Sequence, residues 1–288
     1  MKNLTTKIVT SVLALVLTVA ALGTGVFAWF TINNQAKATG FEGQVQAAQG
    51  GFLLSSDGTN YTTSLDLNEI LKDKLSKLKF KDLTTKDGIS FVDSNNKEAL
   101  ETSYITFDLN FIAINFTEVF VTTDITGDTT SWKSEYAVDG VNVGDTLVSS
   151  AANALRVAYV TEDKTVKYVE ASQDYNGTGS IAGTAKKNTQ GILTKETNFA
   201  YQYLVKSGST KAFDATKETV LVADEAKRLG NTDAKVLTLT KTEAPADYAE
   251  YTNAGKLTVN IWIEGWDAEA FNAILNGKVK VDFNFQAK

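Results

Sequence analysis

Residues 23–41 read Gly-Thr-Gly-Val-Phe-Ala-Trp-Phe-Thr-Ile-Asn-Asn-Gln-Ala-Lys-Ala-Thr-Gly-Phe, with an apolar segment before them and a polar chain after them. From residue 29 onward, four even positions are apolar, namely Phe30, Ile32, Ala36 and Ala38. Asn34 is the exception, and the odd positions from 31 to 39 are polar. A period of two is typical of a half-buried β-strand. The stretch predicts an export cleavage site followed directly by the first strand of the mature chain.

The segment before this strand has the order of a secretory signal peptide. Lys2 and Lys7 are its only charges, residues 8–22 are largely apolar, and a Gly-Thr-Gly sequence interrupts the helix before Val-Phe-Ala. We place the cleavage site between Ala28 and Trp29, so residues 1–28 are the predicted signal peptide. The alternative is an uncleaved membrane anchor, because the apolar stretch reaches about 20 residues when 23–28 are included.

Composition limits the partners and the chemistry of the mature chain. Without Lys2 and Lys7 it has 26 basic and 34 acidic residues, a formal charge of −8. This charge argues against nucleic acid as the main partner, because phosphate contacts need clustered Lys and Arg. No later segment is long and apolar enough for a membrane span, so we expect no membrane association after cleavage.

The chain contains no cysteine and no histidine. Without disulfides, an exported protein depends on packing, which favours a bacterial envelope over a eukaryotic secretory route. Without histidine, the usual general base, the Ser-His and Cys-His nucleophile pairs and His-containing zinc sites are excluded. We therefore predict that the chain is not an enzyme and has no catalytic, cofactor-binding or metal site.

The body after residue 41 has a mainly β pattern that fits one large sandwich or two small domains. Strands are predicted at 52–54, 104–114, 119–121, 155–160, 200–205, 219–222, 236–240, 257–263 and 279–285. Residues 122–150 are predicted to be turn-rich with a hairpin turn at Asp139-Gly140, and 171–190 to form a mobile loop.

Helical signals are short. Asp66 and Glu69 have capping-box spacing, and apolar residues follow at helical spacing. These are Leu67, Ile70, Leu71, Leu75 and Leu78. They predict a helical insertion near 65–80, whose lysines form a solvated face or contact an acidic polymer. Short helices are also predicted at 151–154 and 267–275.

Several functional patterns have simpler structural explanations. Glu264 and Asp267 fit a glycosidase acid and base pair, but also a turn carboxylate and a helix cap. Five loop residues offer calcium ligands without EF-hand spacing, namely Asp124, Asp128, Asp139, Asn142 and Asp145. The four tryptophans, Trp29, Trp132, Trp262 and Trp266, offer a sugar-stacking platform or core packing. The glycine-rich stretch 177–183 lacks the strand and helix that a phosphate loop needs.

Residues 25–31 and 38–40, then 153–158, 261–267 and the terminal alternating strand, resemble the camelysin and TasA-type surface proteins of Gram-positive bacteria. The resemblance is strongest at 20–54 and absent through the middle of the chain. It implies a jelly-roll β-sandwich with short inserted helices at 42–288, exported through a dedicated signal peptidase. Some members carry a metalloprotease description, which is not carried over because a His-Glu-x-x-His helix is absent.

The resemblance also implies assembly into extracellular fibres of the biofilm matrix, pilus-like filaments in which each subunit donates its new N-terminal strand to the next. We predict residues 29–41 as this donor strand, with the interface residues Trp29, Phe30, Ile32, Asn34, Ala36 and Ala38. The expected partners are other copies of the chain and accessory or wall-anchoring proteins, at the cell surface or in the matrix. The rival hypothesis is a monomeric surface adhesin or glycan-binding module whose N-terminal strand packs on its own sheet.

Overall fold

A computed structural model of the chain describes residues 41–47, 51–93, 97–133, 144, 146–171, 221, 224–242, 245–265 and 278–288. Within these ranges the chain is mainly β, as the sequence predicts. None of the helices there has the length and apolar composition needed to cross a lipid bilayer.

Fifteen strands lie in the described residues. They are β1 (Phe41–Ala47), β2 (Phe52–Ser55), β3 (Ser64–Asp66), β4 (Asp82–Thr85), β5 (Phe91–Val92), β6 (Ile105–Ala113), β7 (Glu118–Gly127), β8 (Thr129–Lys133), β9 (Thr146–Ser150), β10 (Leu155–Thr161), β11 (Val166–Glu170), β12 (Ala234–Thr238), β13 (Thr240–Lys241), β14 (Asn253–Glu264) and β15 (Val279–Ala287). The α-helices in the same ranges are single turns, α1 (Leu67–Ile70), α2 (Lys72–Leu75) and α3 (Ala151–Ala154). Short 3-10 turns cover Glu101–Ser103, Glu225–Lys227 and Ala246–Tyr248.

Five strands form the first sheet, in the order β12-β7-β15-β1-β3. The last strand, β15, pairs antiparallel with β7 from Val279↔Gly127 to Ala287↔Val119. On its other side, β15 pairs parallel with β1, from Phe41↔Val279 to Ala47↔Phe285. The first and last described strands are therefore neighbours inside one sheet.

The second sheet is built around β14, the longest strand. It pairs antiparallel with β10 on one side and with β6 on the other, and β6 also pairs with β2. The pairs β10–β11 and β4–β5 extend this sheet at other positions. A separate two-stranded ribbon, β8–β9, follows β7 along the chain.

The main core lies between the two sheets. Alternation on β6 and β15 places Phe107 and Phe111 of one sheet against Phe283 and Phe285 of the other. The ring centroids of Phe107 and Phe283 are 6.2 Å apart, and those of Phe111 and Phe285 are 5.0 Å apart. Burial of each such side chain contributes about 1.5–3 kcal/mol. This contact between sheets gives the chain the layering of a β-sandwich.

A second, smaller core covers the outer face of the second sheet. Trp262 of β14 is fully buried there, with its ring centroid 5.3 Å from that of Phe91. Its other members include Leu83, Ala158, Val160, Val166, Tyr168 and Leu221. Part of this sheet is therefore covered on both faces, which explains why β10 is buried at six consecutive positions.

Most predicted strands are confirmed, and one predicted loop is wrong. Residues 122–127 continue β7, and 129–133 and 146–150 form β8 and β9. Threonine and serine are frequent in these strands. Because their hydroxyls also favour turns, the sequence predicted turns where the backbone is extended. Residues 42–47, for which no strand was predicted, belong to β1.

The helical insertion is confirmed but is shorter than predicted. The carboxylate of Asp66 accepts a hydrogen bond from the backbone N–H of Asn68, and the helix breaks at Leu71. Leu67 and Leu71 are buried, whereas Ile70 is 38% exposed and does not join the core.

Other predictions fall outside the described residues. These are the signal peptide at 1–28, the donor segment up to residue 40, Asp139-Gly140, 172–190, 200–205, 219–222 apart from Leu221, and 267–275.

Three turns share a Ser/Thr-x-Asp sequence followed by a residue with positive φ. They end at Gly58 (φ 74°), Gly88 (φ 70°) and Lys164 (φ 67°). In each turn the aspartate accepts backbone hydrogen bonds from residues two or three positions later. Hydrogen bonds from Asn60 and Thr59 lower the pKa of Asp57. Partial burial raises the pKa of Asp87, but hydrogen bonds from Ser90 and Ile89 outweigh it and the net pKa is low.

Gly88→Ala is expected to lower the free energy of unfolding by about 2 kcal/mol or more, measured by urea denaturation. A side chain is disfavoured at φ 70°, and the new Cβ would lie 2.7 Å from Cγ1 of Val166 and 3.2 Å from Cδ2 of Leu221. Gly230→Ala is the matched control, because its Cβ would meet no atom within 4 Å. Equal losses in the two variants would contradict this account.

Candidate assembly site

The predicted site residues all lie outside the described residues. They are the cleavage pair Ala28 and Trp29 and the donor residues Trp29, Phe30, Ile32, Asn34, Ala36 and Ala38. Phe41, the last residue of the predicted donor strand, is the first residue of β1 and pairs with Val279. The predicted donor segment is therefore joined to the sandwich at the start of β1.

Strands flank β1 on both sides. All seven of its residues pair with β15, and Gln44, Val45 and Gln46 pair with β3 on the opposite side. Beyond β3 the chain enters α1, which packs near β1. On the side of β1 that faces β3, residues 41–43 precede the positions that pair with β3. A hairpin formed by the segment before β1 could therefore pair with only these three residues on that side.

We call the end of the sandwich where β1 begins the exit end. Phe41, Val279 and Gly127 lie side by side there, because β15 pairs with both neighbouring strands. The N–H of Asp128 donates to the carbonyl of Lys278 at 3.0 Å. A Cβ on Gly127 would lie 2.7 Å from that carbonyl and 2.8 Å from Oγ of Ser150. This glycine therefore permits close packing where β7 ends and the β8–β9 ribbon starts.

We call the opposite end the far end, where β1 and β15 finish. The carbonyl of Lys288 accepts hydrogen bonds from the N–H groups of Thr117 and Glu118, at 3.0 and 2.9 Å. The amide of Asn253, at the start of β14, donates to the carbonyl of Phe116 at 2.8 Å. The described C-terminal residue is thus held at the end opposite the donor junction.

The proposed acid and base pair is not assembled by the described residues. Glu264 is fully buried and accepts a hydrogen bond from Nε1 of Trp262 at 3.0 Å, and Asp267 lies outside the described ranges. Burial of Trp262 also removes it from any sugar-stacking surface. Side-chain positions of the other three tryptophans are not among the described ones.

The calcium hypothesis finds no support in the described carboxylates. Asp124 lies opposite Asp282 on the outer face of the first sheet, and Asp282 forms an ion pair of 2.7 Å with Lys280. Across the described ranges, no three acidic residues are grouped to hold a metal ion.

A buried ionic cluster was not predicted. The carboxylate of Glu170 pairs with Arg156 at 3.1 Å and with Arg228 at 2.6 Å. Arg156 is 3% exposed and also donates to the carbonyls of Asn153 and Leu155. The sequence signal for this cluster was Arg156, the one arginine among the mainly apolar residues of β10. The cluster joins β10, β11 and the 224–230 segment, which is a structural role.

The edges of the sandwich limit where a foreign strand could pair. β3 has three residues and leads into α1, and the N–H of Leu229 donates to the carbonyl of Tyr168 beside β11. Short or covered edges oppose unspecific strand addition. Comparisons of the chain with protein-family models, with curated proteins and with solved structures found no match.

Proposed function

We propose that the chain is the structural subunit of an extracellular fibre of the biofilm matrix. After removal of residues 1–28, the predicted donor strand, residues 29–41, inserts into the sandwich of the next copy through residues 29–40, because Phe41 already pairs within β1. The subunit is a jelly-roll sandwich, and its main partner is another copy of itself. The role is structural and not enzymatic.

The observation that supports this proposal is that other strands already lie on both sides of β1. The alternating segment directly precedes β1, yet β15 and β3 already flank that strand. A segment with an apolar face gains stability only when that face is buried and its backbone groups are paired. Another copy of the chain supplies both through strand addition.

The length of the segment fits this role. Twelve extended residues span about 40 Å at about 3.3 Å each. The longest strand of the sandwich, β14, also has 12 residues. A donor leaving the exit end of one copy therefore reaches along the full height of a second copy.

The proposal predicts concentration-dependent polymers of the chain that begins at Trp29. Sedimentation velocity across a concentration series, followed by negative-stain imaging, should show growing oligomers and then fibres of uniform width. Discrete particles at every concentration would contradict the proposal. A glycan array on the same sample tests the adhesin hypothesis, which expects sugar binding by a monomer.

A further inference from the structure

A cluster of three tyrosines lies beside the far end of the sandwich. Tyr248 and Tyr251 belong to the segment that leads into β14, and Tyr61 belongs to the segment between β2 and β3. The ring of Tyr248 lies 5.2 Å from that of Tyr61 and 6.2 Å from that of Tyr251, both edge to face. All three side chains are only partly buried. We call this surface the tyrosine cluster.

Tyr248 holds the tyrosine cluster together. Its hydroxyl accepts a hydrogen bond from the N–H of Tyr61 at 3.0 Å and lies 3.3 Å from the carbonyl of Tyr61, to which it donates. The hydroxyl of Tyr248 thus pairs with both backbone groups of Tyr61, as a neighbouring strand would. Within the described residues, the hydroxyls of Tyr61 and Tyr251 make no hydrogen bond, and both side chains are partly exposed.

Acidic residues lie near two members of the tyrosine cluster. Asp57 lies close enough to Tyr61 to act with burial in raising the pKa of that tyrosine. Glu250 acts in the same way on Tyr251, again after burial as the larger cause. Glu250 and Asp247 are exposed. The cluster therefore combines aromatic rings with two nearby carboxylates, those of Asp57 and Glu250.

The donor segment has complementary chemistry. Lys37 is the only charged residue among residues 29–40, and the alanines Ala36 and Ala38 flank it. A lysine is attracted both by carboxylates and by the faces of aromatic rings. Small flanking residues allow the backbone to approach the rings closely.

We propose that the tyrosine cluster receives the Ala36-Lys37-Ala38 part of the donor segment of a second copy. This inference rests on the proposed function. The donor leaves one copy at the exit end, and the cluster lies near the far end of the next. The part of the donor nearest β1 meets the next copy first, and Lys37 lies only four residues before Phe41. Copies then stack exit end to far end, a heterologous contact that propagates without closing.

A charge swap tests the contact. Lys37→Glu and Glu250→Lys should each raise the critical concentration for polymerisation about fivefold, and the double variant should return it close to the original value. Asp124→Lys is the matched control, because Asp124 is exposed on the outer face of the first sheet, opposite Asp282 and inside β7 rather than at either end. It should leave polymerisation unchanged.

Cysteine pairs give an independent readout, because the chain has no cysteine of its own. Ala38→Cys combined with Tyr251→Cys should yield covalent ladders from oxidised fibres on non-reducing gels. Ala38→Cys combined with Leu100→Cys should not, because Leu100, which is 65% exposed, lies in the segment leading to the exit end.

The outcomes separate this inference from the proposed function. Fibres that form normally while the charge swaps have no effect, or ladders that appear only with the Leu100 pair, would overturn the inference alone. Failure of the unaltered chain to polymerise would overturn both. Glycan binding that is lost on Tyr251→Ser while fibres persist would assign the tyrosine cluster to sugars and also overturn the inference.

Discussion

Phe30→Asp combined with Ile32→Asp should leave the mature chain as a folded monomer that forms no fibres. Both residues lie on the apolar face of the donor segment, and burial of two carboxylates in a neighbouring sandwich without partners costs several kcal/mol. A penalty of about 4 kcal/mol would weaken association roughly a thousandfold. Sedimentation velocity measures the loss of assembly, and circular dichroism and urea denaturation measure retention of the fold.

The matched control is Thr31→Asp combined with Asn33→Asp, which adds the same charge to the same segment on its polar face. This variant should still assemble, because the alternation directs those positions away from the apolar contacts of the acceptor. Normal fibres from the Phe30/Ile32 variant, or equal loss in both variants, would refute a donor strand with this register.

Trp262→Ala should produce the largest loss of stability among single substitutions in the described core, about 3–5 kcal/mol in the free energy of unfolding. The indole is fully buried between β14 and the covering 82–104 segment, and contacts Phe91. Its removal leaves a cavity and takes the Nε1–H donor away from Glu264. Urea denaturation followed by circular dichroism measures the change.

Two further variants separate the causes of that loss. Trp262→Phe keeps an aromatic ring but lacks the N–H group, so its stability should lie between those of Trp262→Ala and the unaltered chain. Leu100→Ala removes a side chain that is 65% exposed and should change the free energy of unfolding by less than about 0.5 kcal/mol. A small effect of Trp262→Ala would show that the second core contributes little.

Strands with one buried face could be predicted from the sequence. β15 alternates between buried and more exposed positions along its whole length, and β6 does so over most of its length, so the period of two identified both. From Gly43 to Ala47, β1 also alternates, but Gly43 at a buried position weakens its apolar signal. The ribbon strands β8 and β9 are rich in Thr and Ser, whose hydroxyls also favour turns, and they pair only with each other among the described strands.

The sequence did not reveal which strands make contacts on both faces. β14 has buried residues at Ile261, Trp262 and Ile263 in succession, and only the covering segment explains why the middle one faces a second core. The tyrosine cluster joins residues 61 and 248, which no local pattern connects. The donor segment itself was predicted from alternation and resemblance, and it stays a prediction.

The parallel register of β1 and β15 determines how the subunit bears mechanical load. In the proposed fibre, tension would enter at Phe41 at the exit end, whereas Lys288 lies at the far end. A pull along this line shears the two strands past each other, so the ladder across seven paired residues must rupture together instead of opening one bond at a time. In the proposed fibre, this register would therefore oppose tension along the fibre axis by shear of the whole ladder.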